Sequence, residues 1–112
     1  MHELGIASDI CRTVSDFSEG RRVESITVDV GILAGVAVEA LDFCIREVAR
    51  DMGLGEPEVT IRTVSATLLC ACGHEYSVND MLDGCPSCGG YQREVRRGMD
   101  IIVREVEIDK GH

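Results

Sequence analysis

Apolar positions change their spacing several times along the chain, and each change marks an element. Leu4, Ala7, Ile10, Cys11, Val14 and Phe17 recur at steps of three and four. That period places side chains on one face of a helix and predicts an amphipathic helix over 4–18, with Gly20 just past its end. From Val23 to Val30 the period falls to two: Ile26, Val28 and Val30 alternate with Ser25, Thr27 and Asp29, which predicts a strand with one buried face. A second helix is predicted over 38–52 on the stripe Leu41, Ile45, Val48 and Met52, and Gly53, Gly55 and Pro57 stop it. Residues 58–64 alternate again through Val59 and Ile61. Over 66–97 regular spacing gives way to cysteines, glycines and turn residues. It returns as a strand-like run over 99–108, where the consecutive Ile101, Ile102 and Val103 leave the buried face undetermined and admit a bulge.

The resulting order is helix, strand, helix, strand, cysteine-rich module, strand. It predicts an α+β fold, with two helices on a three-stranded sheet. Residues 1–65 plus 98–112 would form this α/β domain, and 66–97 would be a module inserted between two strands of its sheet.

The 112 residues, 45% of them hydrophobic, suffice for one modest and mainly aliphatic core, since Phe17, Phe43, Tyr76 and Tyr91 are the only aromatic residues. No run approaches the ~20 apolar residues of a membrane span. Met1-His2-Glu3-Leu4 lacks the basic start and apolar run of a secretory signal. A cytoplasmic protein with no membrane association is expected. A formal net charge of −9 argues against nucleic acid, and the single basic cluster, Arg93, Arg96 and Arg97, is interrupted by Glu94.

Six cysteines in a cytosolic chain point away from disulfides. Cys70-Ala-Cys72-Gly73 and Cys85-Pro-Ser-Cys88-Gly89 are two short-spaced pairs, each able to present two sulfurs from one turn. Together they make a closed tetrahedral thiolate set suited to a structural zinc, with no open position for catalysis. Iron in an electron-transfer centre would use the same ligands. The first pair is one residue shorter than the usual spacing, and His74 is a reserve ligand in place of Cys70. The module has too few apolar side chains to fold alone, so metal would supply much of its folding free energy. Cys11 and Cys44 lie on the predicted helix faces and read as small core residues. No nucleophile and base stand in a catalytic arrangement, so an enzyme is not expected.

The N-terminus offers a second kind of site. The Met1 amine, the His2 backbone nitrogen and the His2 imidazole can close adjacent chelate rings around one ion, with Glu3 adding a ligand. Planar nitrogen sites favour Ni(II) or Cu(II) over zinc. The same residues also suit an ordinary chain end, with Glu3 favouring the positive end of the first helix.

The Met1-His-Glu-Leu4 start, Gly31-Ile-Leu-Ala-Gly-Val36 leading to Glu39-Ala-Leu41, and the two-pair module closed by Cys85-Pro-Ser-Cys88-Gly-Gly follow one another in an order that resembles the HypA family, the nickel metallochaperones of [NiFe]-hydrogenase maturation. The resemblance spans essentially the whole chain. It implies a nickel-binding α/β domain carrying a zinc-ribbon insertion, with nickel at His2 and contributions from Met1 and Glu3. It implies zinc at Cys70, Cys72, Cys85 and Cys88. The implied partners are the GTPase HypB and the hydrogenase large subunit. One departure stands out: most relatives keep two residues between the first two cysteines, where this chain has only Ala71. The competing reading is a zinc-ribbon adaptor that uses no nickel.

Overall fold

The structure, a computed structural model, describes residues 3–80 and 82–109. Its elements in chain order are α1 (Glu3–Ser18), β1 (Val23–Gly31), α2 (Val38–Asp51), β2 (Glu58–Val64), β3 (Ala66–Cys70), β4 (Glu75–Val78), β5 (Arg93–Arg97) and β6 (Ile101–Ile108). They form two helices and two three-stranded sheets, ordered β2-β1-β6 and β4-β3-β5. The α+β class read from the spacing is correct. The chain divides into two compact units. One takes the segments up to Asp29, from Val36 to Arg62 and from Ile102 onward; the other takes Val30–Gly35 and Thr63–Ile101. No described helix is long and apolar enough to cross a membrane.

In the first unit β1 is the central strand. Contacts from β1 toward β2 and the residues that lead into it ascend together, a hydrogen bond from Val23 N–H to Leu54 O and an ion pair between Asp29 and Arg62, so the two strands run the same way with α2 as the crossover. Toward β6 they descend, Arg22 O to Asp109 N–H, Ser25 to Glu107 and Asp29 to Arg104, so that pair is antiparallel. The buried aliphatics are Ala7, Ile10, Cys11 and Val14 of α1, Leu41, Ile45 and Ala49 of α2, and Val23, Ile26, Val28 and Val59 of the strands. The helices pack on one another, with the Cys11 thiol directed at the Ile45 carbonyl at 3.6 Å.

Three side chains expected in the helix stripes lie outside. Leu4 and Phe17 are 59% and 63% exposed. At about 100° per residue they fall on opposite flanks of the buried arc, each roughly 65–75° from its centre. Met52 is 39% exposed because α2 ends at Asp51 and Met52 is already its cap.

Asp29 belongs to the polar face of β1, yet it is only 3% exposed. Its neighbours on both flanking strands are arginines. Arg104 Nε donates to Asp29 Oδ2 at 2.8 Å and its Nη2 lies 2.7 Å from the same oxygen, while Arg62 Nε stands 3.5 Å from Oδ1, an ion pair but not an aligned hydrogen bond. A buried carboxylate is tolerated when paired in this way.

The second unit contains three strands that the spacing did not reveal. β3 pairs antiparallel with β4 (Leu68 opposite Tyr76) and with β5 (Leu68 opposite Val95). Alternation over four or five residues is too brief to read against a background of cysteine and glycine. A register shift leaves Arg96 as the extra residue of β5. The core is Ala66, Leu68, Cys70, Tyr76, Val78 and Cys85, with Ile32 and Leu33 packed against it. Glycines allow the close approach this requires. A Cβ on Gly31 would lie 2.1 Å from the Gly98 carbonyl oxygen, and a Cβ on Gly98 (φ 110°) would meet Ala66 Cα at 2.7 Å. Leu33 N–H then bonds Gly98 O at 2.8 Å, and Ile32 N–H bonds Val64 O at 2.9 Å.

Candidate metal centre

Two turns bring the cysteines together. Cys70 is the last residue of β3, and its N–H bonds His74 O at 2.9 Å, closing the β3–β4 hairpin that carries Cys72. Gly73 N–H returns to Cys70 O and Ala71 N–H bonds Gln92 O, anchoring this turn to the chain entering β5. The second turn closes on itself: Gly89 N–H bonds Cys85 O at 2.7 Å and Cys85 N–H bonds Gly90 O at 3.0 Å. Arg93 braces the same region, donating to Tyr76 Oη at 3.1 Å and lying over the Tyr91 ring at 5.1 Å.

All six cysteines are free thiols, and the sulfurs of Cys70, Cys72, Cys85 and Cys88 lie within 4.8 Å of one another. Cys70 and Cys88 stand 3.5 Å apart, and Cys72 and Cys85 3.8 Å apart. A tetrahedron of thiolates with zinc–sulfur bonds of about 2.3 Å needs sulfurs about 3.8 Å apart, so donor type and spacing both fit zinc. Backbone amides complete the second turn: Ser87 N–H points at Cys85 Sγ and Gly90 N–H at Cys88 Sγ, each at 3.4 Å. Burial pushes the Cys85 thiol up, but the Cys88 and Ser87 amides and the neighbouring cysteines outweigh it and bring it down to about 6. The shift is toward the thiolate form that metal binding demands. These amide donors are backbone groups, and only the Gly89-Gly90 pair hints at them in the sequence.

His74, the reserve ligand, is outside this sulfur group; its ring stacks on Tyr76 with centroids 6.1 Å apart. Cys11 is fully buried, which raises its thiol to about 11, and Cys44 is half-buried. Neither belongs to a group of three or more candidate ligands among the described residues.

Met1 and His2 of the expected nickel site lie outside the described residues. Glu3 opens α1, and its Oε2 accepts the Ala37 N–H at 3.0 Å. Ala37 is the N-cap of α2 and offers no side-chain cap of its own. In a capping box a Glu at the third helical position serves this amide, but here that position is Ala40. Glu3 performs the task from across the fold, tying the start of α1 to the start of α2.

A small α+β protein with a four-cysteine ribbon unit is thereby defined, and comparison with known proteins narrows the class. The profile of the family described as hydrogenase/urease nickel incorporation metallochaperone, HypA, matches residues 1–108. The chain belongs to the HypA family. It is 34% identical over 110 residues to the hydrogenase maturation factor HypA of Geobacter metallireducens, covering 97% of this chain and 100% of that one. It is 38% identical over 112 residues to the factor of the same name from Geotalea daltonii, covering 99% and 96%. Among solved structures it is similar to the solution structure of the Ni metallochaperone HypA from Helicobacter pylori, with a TM-score of 0.67 at 16% identity over 96% of this chain and 97% of that one. At that identity the likeness speaks for the fold.

Proposed function

We propose that this chain is a cytoplasmic nickel carrier for [NiFe]-hydrogenase maturation and not an enzyme. The observation that carries the reading is the family match from residue 1 to residue 108, which takes in the Met1-His2-Glu3 start together with all four ribbon cysteines. Nickel, the cargo, is held by the Met1 amine, the His2 amide nitrogen and imidazole, and Glu3. Zinc, the resident ion, is held by Cys70, Cys72, Cys85 and Cys88 and supplies folding free energy to the ribbon. Residues 1–65 with 98–112 serve nickel, and 66–97 serve zinc. The GTPase HypB and the hydrogenase large subunit are the implied partners.

Two physical features support this division of labour. The sulfur set is closed and partly buried, which suits an ion that stays. The chain terminus offers nitrogen donors that suit Ni(II) and can be surrendered to another protein. Glu3, the next residue of that site in the chain, has its carboxylate tied to the start of α2.

His2→Ala, and separately acetylation of the N-terminus, should each weaken nickel binding at least tenfold by calorimetry while zinc content by mass spectrometry stays at one per chain. Unchanged nickel affinity in both would reject the carrier reading and leave the zinc-ribbon adaptor.

A further inference from the structure

The four ribbon sulfurs are interchangeable in the sequence but not in the structure. Cys70 and Cys85 are buried, whereas Cys72 and Cys88 are exposed. A reagent arriving from solvent therefore meets Cys72 or Cys88 first. Their surroundings differ. Cys88 receives the Gly90 N–H, and its buried turn-mate Cys85 receives the Ser87 N–H. In the first turn, one residue shorter, no amide is left for Cys72: its own N–H serves the buried Cys70 sulfur, Cys70 N–H bonds His74 O, Ala71 N–H bonds Gln92 O and Gly73 N–H bonds Cys70 O. Among the described residues no backbone N–H donates to Cys72 Sγ. Hydrogen bonds to a metal-bound sulfur withdraw charge from it, and a thiolate's reactivity follows its charge and exposure. Cys72 is the exposed sulfur that lacks this protection.

We propose that Cys72 is an oxidation site, the point at which a peroxide opens the zinc centre, with Cys85 as its resolving thiol. The Cys72 sulfur attacks one peroxide oxygen; a sulfur–oxygen bond forms, the oxygen–oxygen bond breaks, and the leaving hydroxide takes a proton to become water. This makes Cys72 a sulfenic acid. Cys85 Sγ, 3.8 Å away, then attacks Cys72 Sγ. The disulfide forms, the sulfur–oxygen bond breaks, and a second hydroxide leaves as water. In sum, two thiolates, one peroxide and two protons give one disulfide and two waters, with two electrons passing from sulfur to oxygen. Zinc keeps two of its four ligands and is released. The same geometry predicts which turn fails first: the short one.

The inference rests on zinc occupying the four-sulfur site, so the test begins with zinc content by mass spectrometry; a chain that takes up no zinc would sink that underlying assignment and not the oxidation step. The zinc-loaded full chain is treated with hydrogen peroxide, metal release is followed with a chromogenic chelator, and modified cysteines are mapped by non-reducing peptide mass spectrometry. Cys72 should be the first cysteine modified, with a Cys72–Cys85 disulfide appearing in step with zinc release. Cys72→His, which keeps a zinc ligand, should slow peroxide-driven release about tenfold, while Cys88→His should leave it within about twofold. Earliest modification at Cys88, at Cys44 without zinc release, or at all four sulfurs together overturns the proposal, as does resistance of the zinc-loaded chain to peroxide. Should either His variant fail to load zinc, the order of modification in the unaltered chain decides alone.

Discussion

The two units of this chain hold together by different means. The first buries aliphatic side chains from two helices and a sheet, among them Ile26, Val28, Leu41 and Ile45, all at 0% exposure. The second is built around a cluster of six buried residues, of which Cys70 and Cys85 belong to the four-sulfur group and Ala66 has almost no side chain. Fully burying a Val, Leu or Ile side chain contributes about 1.5–3 kcal/mol, and this unit has few such side chains (Val30, Leu68 and Val78, with Tyr76 beside them) to set against the entropy of ordering it. A four-thiolate metal site can offset that entropy. One unit is a small hydrophobic domain; the other is a loop-rich module whose four grouped sulfurs fit a zinc ion.

Chelation should show the largest contrast. Removing zinc withdraws on the order of 10 kcal/mol from the ribbon. Amide exchange protection at Leu68, Tyr76 and Val78 should collapse while that at Ile26, Leu41 and Ile45 persists. Retained protection in both sets would mean that the ribbon stands without metal. Next comes a core truncation. Ile45→Ala should cost about 2–5 kcal/mol in denaturant unfolding of the first unit and leave zinc stoichiometry at one; loss of zinc in this variant would show that the two stabilising mechanisms are coupled.

The smallest effect is a pH limb. Cys11 is raised by burial from 9.0 to about 11, so the folded chain holds this proton more tightly than the unfolded one. Its contribution is complete below pH 9, declines as pH rises through the window from 9 to about 11, and is gone above it. Cys11→Ala should flatten that part of the stability profile. An unchanged slope between pH 9 and 11 would remove Cys11 as its source.

The first unit was legible because its elements are long enough for a period to repeat. α1 and α2 show their buried faces through several turns, and β1 alternates over most of its length. The exceptions are positional. Leu4 and Phe17 sit on the flanks of the helical arc, and Asp29 is buried not by its own character but by Arg62 and Arg104 on the neighbouring strands. The ribbon strands were not legible. β4 has four residues, and the partners that make β3 a strand are several to some thirty positions away. The four cysteines, by contrast, stood out at once, because two sulfurs on one turn is a local pattern.

Local chemistry therefore sufficed for the helices, for the alternating strands and for the two cysteine turns, since periodicity and short spacing need no knowledge of distant residues. Folding in three dimensions settled matters that depend on who stands beside whom. Glu3 caps α2 because Ala40 cannot. Gly31 must be bare because the Gly98 carbonyl occupies the space a Cβ would take. And of four identical side chains, two are exposed and one of those lacks an amide donor, a difference created by burial and backbone direction that no linear pattern of cysteines encodes.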